Sequence, residues 1–185
     1  ADNYYANDHQ LITPDTSVLI FNDTFGALTA NLSILGNNVY CVNDSYLSKQ
    51  GIKHNLEQNH LDCSNITQLT SLDTLPSIVD VVIYKIPKSK ALLTEQLIQL
   101  KAKYNEVVFI AGDRAKDIHT STLKVFEKYL GTTKTSLAVK KARLVLCSLD
   151  AKQTFPSPYP TLWDLPPTSP ANKTKQNADQ KVSLL

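Results

Sequence analysis

The chain has 185 residues, 42% of them hydrophobic and 19% charged, enough for one cored domain and too little for two. With 19 Lys and Arg against 17 Asp and Glu the net charge is +2, so bulk charge does not point to nucleic acid and any basic surface is local. No apolar run reaches the roughly 18 residues of a membrane span, and no basic-then-apolar leader opens the chain; the expected setting is the cytoplasm, with no membrane partner. Cys41, Cys63 and Cys147 lie far apart with no CxxC, which excludes a disulfide framework and a zinc ribbon. They are expected to be buried small hydrophobes. His9, His54, His60 and His119 show no metal spacing, so no metal is expected. The sequence contains no methionine, not even at position 1, and reads as a piece of a longer protein.

In chain order, short apolar runs alternate with amphipathic ones. Val18–Phe21, Val39–Val42, Ile66–Leu69, Val79–Tyr84, Val107–Ala111 and Ala142–Leu149 have strand length and are rich in β-branched or aromatic residues. Several are apolar on both faces, as strands of a parallel sheet covered by helices are. Phe25–Leu35, Tyr46–Asn59, Ala91–Tyr104 and Thr120–Leu130 carry apolar residues at helical spacing, as in Leu93, Leu97 and Leu100. The alternation predicts an α/β doubly wound sheet. Gly36 and Gly131 sit where left-handed caps end the first and last helices. Ser136–Lys140 and Ala142–Leu149 lack room for a helix between them and predict a hairpin at the sheet edge. After Asp150 the composition changes: six of the nine prolines lie beyond it. The expected division is a domain over 1–150 and a Pro-rich linker or tail over 151–185, with Lys181–Leu185 turning apolar as the start of a further domain.

In such a sheet, ligands bind at the carboxyl ends of the strands. The first strand is followed by Asn22-Asp23-Thr24-Phe25-Gly26 and the second by Asn43-Asp44-Ser45. Asp44 has two readings: a carboxylate that takes a ribose diol, or the cap of the helix opening at Tyr46. No GxSxG, P-loop or paired-carboxylate arrangement supports a hydrolase or nucleotidase.

The segments VLIFNDTFGALTANL, VYCVNDSYLSKQGIKHNLEQNHLD, VDVVIYKIPKSKALLTEQL and AGDRAKDIHTSTLKVFEKYLGTTKTSLAVKKARLVLC resemble the N-terminal half of the ribosomal RNA guanine-N2 methyltransferases of the RlmG and RsmC kind, RlmG more closely. The resemblance covers about Asp2 to Leu149. It implies a class I methyltransferase-like, Rossmann-like sheet in the first of two tandem domains. The second, missing here, would be catalytic and bind S-adenosylmethionine, and the first would be a degenerate copy that positions large-subunit (23S) ribosomal RNA. The partners it implies are that RNA and the C-terminal catalytic domain of the same chain.

An active domain of that family carries a turn like DLGCGNG, where absent side chains let the backbone approach the cofactor. Laid on this chain, the aspartate position is Ile20 and the glycine positions are Asn22, Thr24 and Gly26. Only the last glycine is kept, and Thr24 and Phe25 are expected to project into the cofactor's space. Asp44 matches the family's ribose-binding acid, so Asn22, Gly26 and Asp44 form a vestigial cofactor site at most, with no S-adenosylmethionine expected in this chain. Where active relatives have Asn-Pro-Pro-Phe, this chain has Lys85-Ile86-Pro87-Lys88. An ammonium has no acceptor for the target amine, and beside the cofactor's sulfonium, at about 6 Å and an effective dielectric near 20, it adds roughly 3 kcal/mol of repulsion. No residue is expected to be catalytic. Lys85, Lys88, Arg114 and Lys116 lie at strand ends around the mouth of that site, and Lys140, Lys141 and Arg143 cluster near the edge hairpin; these seven are the residues expected to touch RNA. The alternatives are a domain that binds S-adenosylmethionine and methylates by itself, a scaffold that only packs on the catalytic half, and a small-subunit rather than large-subunit target.

Overall fold

The structure is a computed structural model that describes residues 11–150, 154–158, 161–164 and 181–184. The chain divides into two compact units, Ala1–Phe155 and Pro156–Leu185. In the first, the strands are β1 (Ser17–Phe21), β2 (Asn38–Val42), β3 (Ile66–Leu69), β4 (Val81–Lys85), β5 (Val108–Arg114), β6 (Thr133–Thr135) and β7 (Ala142–Cys147). The helices are α1 (Ala27–Ile34), α2 (Tyr46–Gln58), α3 (Lys90–Lys103) and α4 (Thr120–Tyr129), with a 3-10 turn at Ala115–Asp117. In the second unit, β8 (Thr161–Asp164) and β9 (Lys181–Leu184) pair antiparallel, a ribbon that reading the segment as linker did not anticipate.

The seven strands of the first unit form one sheet in the order β3-β2-β1-β4-β5-β7-β6. β3, β2, β1, β4 and β5 run parallel, and β7 is antiparallel to both β5 and β6. The strand order reverses between β1 and β4, which places the ligand crevice of a doubly wound sheet at their carboxyl ends. β1 is central, and its Val18, Leu19, Ile20 and Phe21 are all buried, as an apolar strand covered on both faces must be. The alternation of period two sends Leu19 and Phe21 into one core with Tyr84, Phe109, Val145, and Leu93, Leu97 and Leu100 of α3. Val18 and Ile20 enter the opposite core with Val39, Ile83, Ile110 and Leu32 of α1. Cys41, Ile52 and Leu56 extend that second face under α2. Four aromatic rings meet in the first core, with Tyr84 at their centre: Phe21, Phe109 and Phe126 lie 5.5, 5.7 and 6.2 Å from it.

Gly36 (φ 89°) ends α1 and Gly131 (φ 135°) follows α4, as expected of C-terminal glycines. Gly131 is also a close approach, because a Cβ there would stand 2.6 Å from the Ser148 carbonyl oxygen. The edge hairpin differs from the expectation: its outer strand is Thr133–Thr135 rather than Ser136–Lys140, and Ala142–Cys147 is an inner strand covered on both sides. The reason is the turn. Val139 and Ala142 exchange both backbone hydrogen bonds at 2.9 Å across Lys140 and Lys141, whose φ angles are 47° and 68°. That is the pattern of a two-residue type I′ turn, and Ser136–Val139 is spent approaching it. Among the described residues, no helix is long and apolar enough to cross a membrane.

Candidate functional site

The carboxyl ends of β1, β4 and β5 open into a crevice of about 840 Å³. Asn22 and Thr24 line it from β1, Lys85, Ile86, Pro87 and Lys88 from β4, and Asp113, Arg114, Asp117 and His119 from β5 and the segment after it. Lys90 and Leu93 of α3 and the first turn of α4, at Ser121 and Thr122, complete the wall. Four cationic side chains thus face the crevice against two carboxylates. Asp117 pairs with the Arg114 Nε at 2.6 Å, an exposed ion pair, and Asp113 accepts the Arg114 N–H at 2.7 Å. Lys85 and Lys88 are exposed and carry no ion pair among the described residues.

The turn after β1 has left-handed backbone at Asn22 and Gly26, two of the three glycine positions, while its side chains do something else. Asn22 has φ 64°, a left-handed conformation that Asn tolerates and glycine adopts freely. Its Nδ2 donates to the Lys85 carbonyl at 3.0 Å and to the Gln96 Oε1 at 3.0 Å, and its Oδ1 accepts from the Gln96 Nε2 at 3.2 Å. Gln96 is fully buried and also accepts from the Tyr84 hydroxyl at 2.7 Å. Burial holds that phenol far above its ordinary pKa, so it donates at every physiological pH. Asp23 turns inward: it accepts from the Gly26 N–H at 3.2 Å, the Thr29 N–H at 3.0 Å and the Thr29 hydroxyl at 2.9 Å, occupying two of the backbone donors at the start of α1. Gly26 is retained for packing, since a Cβ there would stand 3.1 Å from the Ile52 side chain of α2 at φ 79°.

Several expected positions are revised. Thr24 reaches the crevice wall, but Phe25 does not: it is 68% exposed and lies against α2, its Cδ1 3.6 Å from where a Gly51 Cβ would be. The side chain that fills the turn is Asn22. Asp44 is not the cap of α2, because Ser45 accepts the Ser48 N–H at 3.3 Å in that role. Asp44 instead accepts the Ser71 N–H at 2.7 Å, tying the loop after β3 to the end of β2, and it lies outside the crevice wall. Lys85, Lys88 and Arg114 are brought together as expected, whereas Lys116 is exposed beside the crevice rather than in its wall. The second basic cluster is tied to the first by the Ala115 N–H, which donates to the Lys141 carbonyl at 2.8 Å, and by β-sheet register, which sets Arg143 opposite Asp113. Sequence reasoning missed Gln96 and Asp23. Gln96 had a signal: it is a polar residue at a core position of the Leu93, Leu97, Leu100 stripe. Among the described residues there is no group of three His, Cys, Asp or Glu placed to hold a metal ion.

The family model described as the RLMG N-terminal domain matches residues 1–151. The chain belongs to the RLMG N-terminal domain family. Over 173 residues it is 60% identical to the ribosomal RNA large subunit methyltransferase G of Colwellia psychrerythraea, a match that covers 90% of this chain and 44% of that protein. With the protein of the same name from Vibrio vulnificus it shares 44% identity over 167 residues, 89% of this chain and 44% of that one. The chain therefore spans less than half the length of these relatives. Among solved structures, the T. thermophilus 16S rRNA N2 methyltransferase RsmC, in complex with AdoMet and guanosine, superposes with a TM-score of 0.58 at 19% identity, over 80% of this chain and 42% of that one. A SAM-dependent methyltransferase from Aquifex aeolicus gives 0.58 at 13% identity, over 78% and 87% of the two chains. The RLMG N-terminal domain thus has the Rossmann-like class I methyltransferase fold, with its crevice at the end of the sheet where that fold binds ligands.

Proposed function

We propose that this domain is the non-catalytic, RNA-positioning N-terminal half of an S-adenosylmethionine-dependent ribosomal RNA methyltransferase, acting on a guanine N2 amine of large-subunit RNA in the cytoplasm. Its partners are ribosomal RNA and a C-terminal catalytic domain of the same chain. The names of its relatives support the activity of the whole protein. The observation that carries the division of labour is the Asn22–Gln96 pair: the space that glycines would leave for a cofactor holds a hydrogen-bonded side chain instead. The residues of this turn do not fit S-adenosylmethionine. Asp23 has taken two of the backbone donors at the start of α1, Asn22 spans the gap from β1 to β4, and Asp44 holds the Ser71 loop rather than facing the crevice. At the end of β4, Lys85 offers three donors and no acceptor for a guanine amine. What remains is an open crevice with a surplus of cations, suited to phosphates.

A methylation assay on deproteinised ribosomal RNA tests this reading. The full-length protein is expected to transfer methyl groups to large-subunit RNA. The 185-residue chain transfers none and gives no saturable heat with S-adenosylmethionine. Removing the chain from the full-length protein raises the KM for RNA more than it lowers kcat. Micromolar cofactor binding by this chain, lost on Asp44→Ala, would overturn the reading.

A further inference from the structure

Beyond the crevice, the same edge of the sheet carries a second surface of different chemistry. Among the described residues, Phe25 and Tyr46 are the exposed phenylalanine and the exposed tyrosine, at 68% and 72%. Phe21, Tyr84, Phe109 and Phe126 are all buried in the core. Phe25 follows the carboxyl end of β1 and Tyr46 that of β2, and two further exposed apolar residues, Leu47 and Leu72, follow β2 and β3.

These residues follow the carboxyl ends of three neighbouring parallel strands. The Phe25 ring lies against Gly51, and the Asn55 Nδ2 donates to the Phe25 carbonyl at 2.7 Å. Leu47, Gly51 and Asn55 stand one turn apart on α2, so Phe25 rests on the stripe that Leu47 heads. The Asp44–Ser71 hydrogen bond ties the residue before Leu72 to the loop that leads into α2 and Tyr46. The surface also joins the crevice, because Thr24 lines the crevice and the next residue is Phe25. Along one edge, then, cations stand over β4 and β5, and rings and aliphatic groups over β1, β2 and β3.

A duplex hides the faces of its bases in the stack and would engage only the cations. A protein partner suited to the apolar half would leave the cations without a role. An unpaired strand presents both an anionic backbone and flat apolar faces, and proteins that hold single strands combine a basic groove with aromatic platforms. We propose that this edge binds an unpaired RNA segment, with phosphates on Lys85, Lys88 and Arg114 and bases stacked on Phe25 and Tyr46. The inference rests on the RNA-positioning reading and adds to it the form of the RNA and the residues that take its bases.

Fluorescence anisotropy with the 185-residue chain tests it, using a labelled single strand of about ten nucleotides, a duplex of the same length, and the strand with abasic positions. The intact strand is expected to bind about tenfold tighter than the duplex or the abasic strand. Phe25→Ala and Tyr46→Ala should each weaken strand binding by about tenfold and leave duplex binding unchanged, while Phe25→Tyr and Tyr46→Phe keep the affinity. Both positions are exposed, and an unchanged urea midpoint confirms that the variants fold. Equal binding of all three RNAs, or unaltered strand binding by the double alanine variant, overturns the stacking inference while the crevice still holds RNA. Failure to bind RNA of any form, with the alanine variants losing only their association with the remainder of the full-length protein, overturns the RNA-positioning reading as well.

Discussion

Asn22 and Gln96, 74 residues apart in the chain, exchange two hydrogen bonds, Nδ2 to Oε1 at 3.0 Å and Nε2 to Oδ1 at 3.2 Å. An amide pair of this kind satisfies both side chains at once, and here it locks the turn after β1 to α3 across the end of β4. Replacing Gln96 by Leu keeps the volume but leaves the Tyr84 hydroxyl without its acceptor and Asn22 with only the Lys85 carbonyl. The expected loss is about 2–3 kcal/mol, because buried donors stranded without partners cost more than the bonds themselves contribute. Urea unfolding of Gln96→Leu measures it. No S-adenosylmethionine binding should appear in this variant, since Asp23 still occupies the Gly26 and Thr29 N–H groups and Thr24 still lines the crevice.

Charge reversal should separate the crevice from the rest of the surface. Lys85→Glu with Lys88→Glu is expected to remove most RNA affinity and to flatten its salt dependence by about 0.7 in log–log slope for each phosphate no longer neutralised. Lys49→Glu with Lys53→Glu, on α2, should change little, because Lys53 already pairs with Glu57 at 3.8 Å. Equal losses from the two double variants in titrations at two salt concentrations would argue against a local site.

The Lys140-Lys141 turn sets stability against binding. Both residues hold positive φ, a conformation that Asn-Gly adopts at less cost. Substituting Asn-Gly should raise stability by about 1 kcal/mol and lower RNA affinity through the loss of two cations. Thermal unfolding and anisotropy on the same preparation check both halves of this expectation.

Two glycines should respond in opposite directions to alanine. Gly131 has φ 135° and the Ser148 carbonyl in the path of a Cβ, so Gly131→Ala should lose about 2–4 kcal/mol. Gly51 lies inside α2 with its nearest neighbours at 3.6 and 3.7 Å from a Cβ, an ordinary van der Waals separation. Gly51→Ala should therefore gain about 0.5–1 kcal/mol in helix propensity. Urea unfolding of the two variants reads both signs.

The buried thiols make stability depend on alkaline pH. Burial pushes Cys41 and Cys147 up from 9.0 to about 11, and Asp23 adds to the effect at Cys41. The folded thiols hold their protons more tightly than the unfolded ones, so the native state is fully stable in this respect below about pH 9 and loses stability as pH rises from about 9 to 11, by on the order of 2 kcal/mol per thiol at pH 11. Chemical unfolding at several pH values follows that loss. In the native protein a thiol reagent at pH 8 should modify the exposed Cys63 and leave the other two intact.

The parallel core was legible because several of its strands are apolar on both faces; β1 and β2 appear within a residue of their expected limits. β5 runs three residues past its expected end, through Gly112, Asp113 and Arg114, which do not continue the apolar run. They stay extended because β7 pairs with them in antiparallel register, a long-range bond that local composition does not announce. The outer strand of the edge hairpin escapes the sequence for a similar reason: the tight turn falls on two lysines rather than on Asn or Gly. At the crevice, lysines at strand ends were readable from position alone. The Asn22 and Gln96 partnership was not, since each looks like a separate polar residue until the fold closes the 74 positions between them. Phe25 looks like a filler of the turn as long as neighbours in sequence are assumed to share a direction, whereas Asn22 points across the sheet and Phe25 over α2.

The five parallel strands also act as a ruler. Hydrogen-bonded strands are spaced at about 4.8 Å, so the row of ends from β3 to β5 is about 19 Å long, and β1 at its middle is packed too tightly on both sides to bend. Anything lying along that row must match a fixed length instead of moulding the protein to itself. A ligand one unit too short would reach Arg114 or Leu72 but not both.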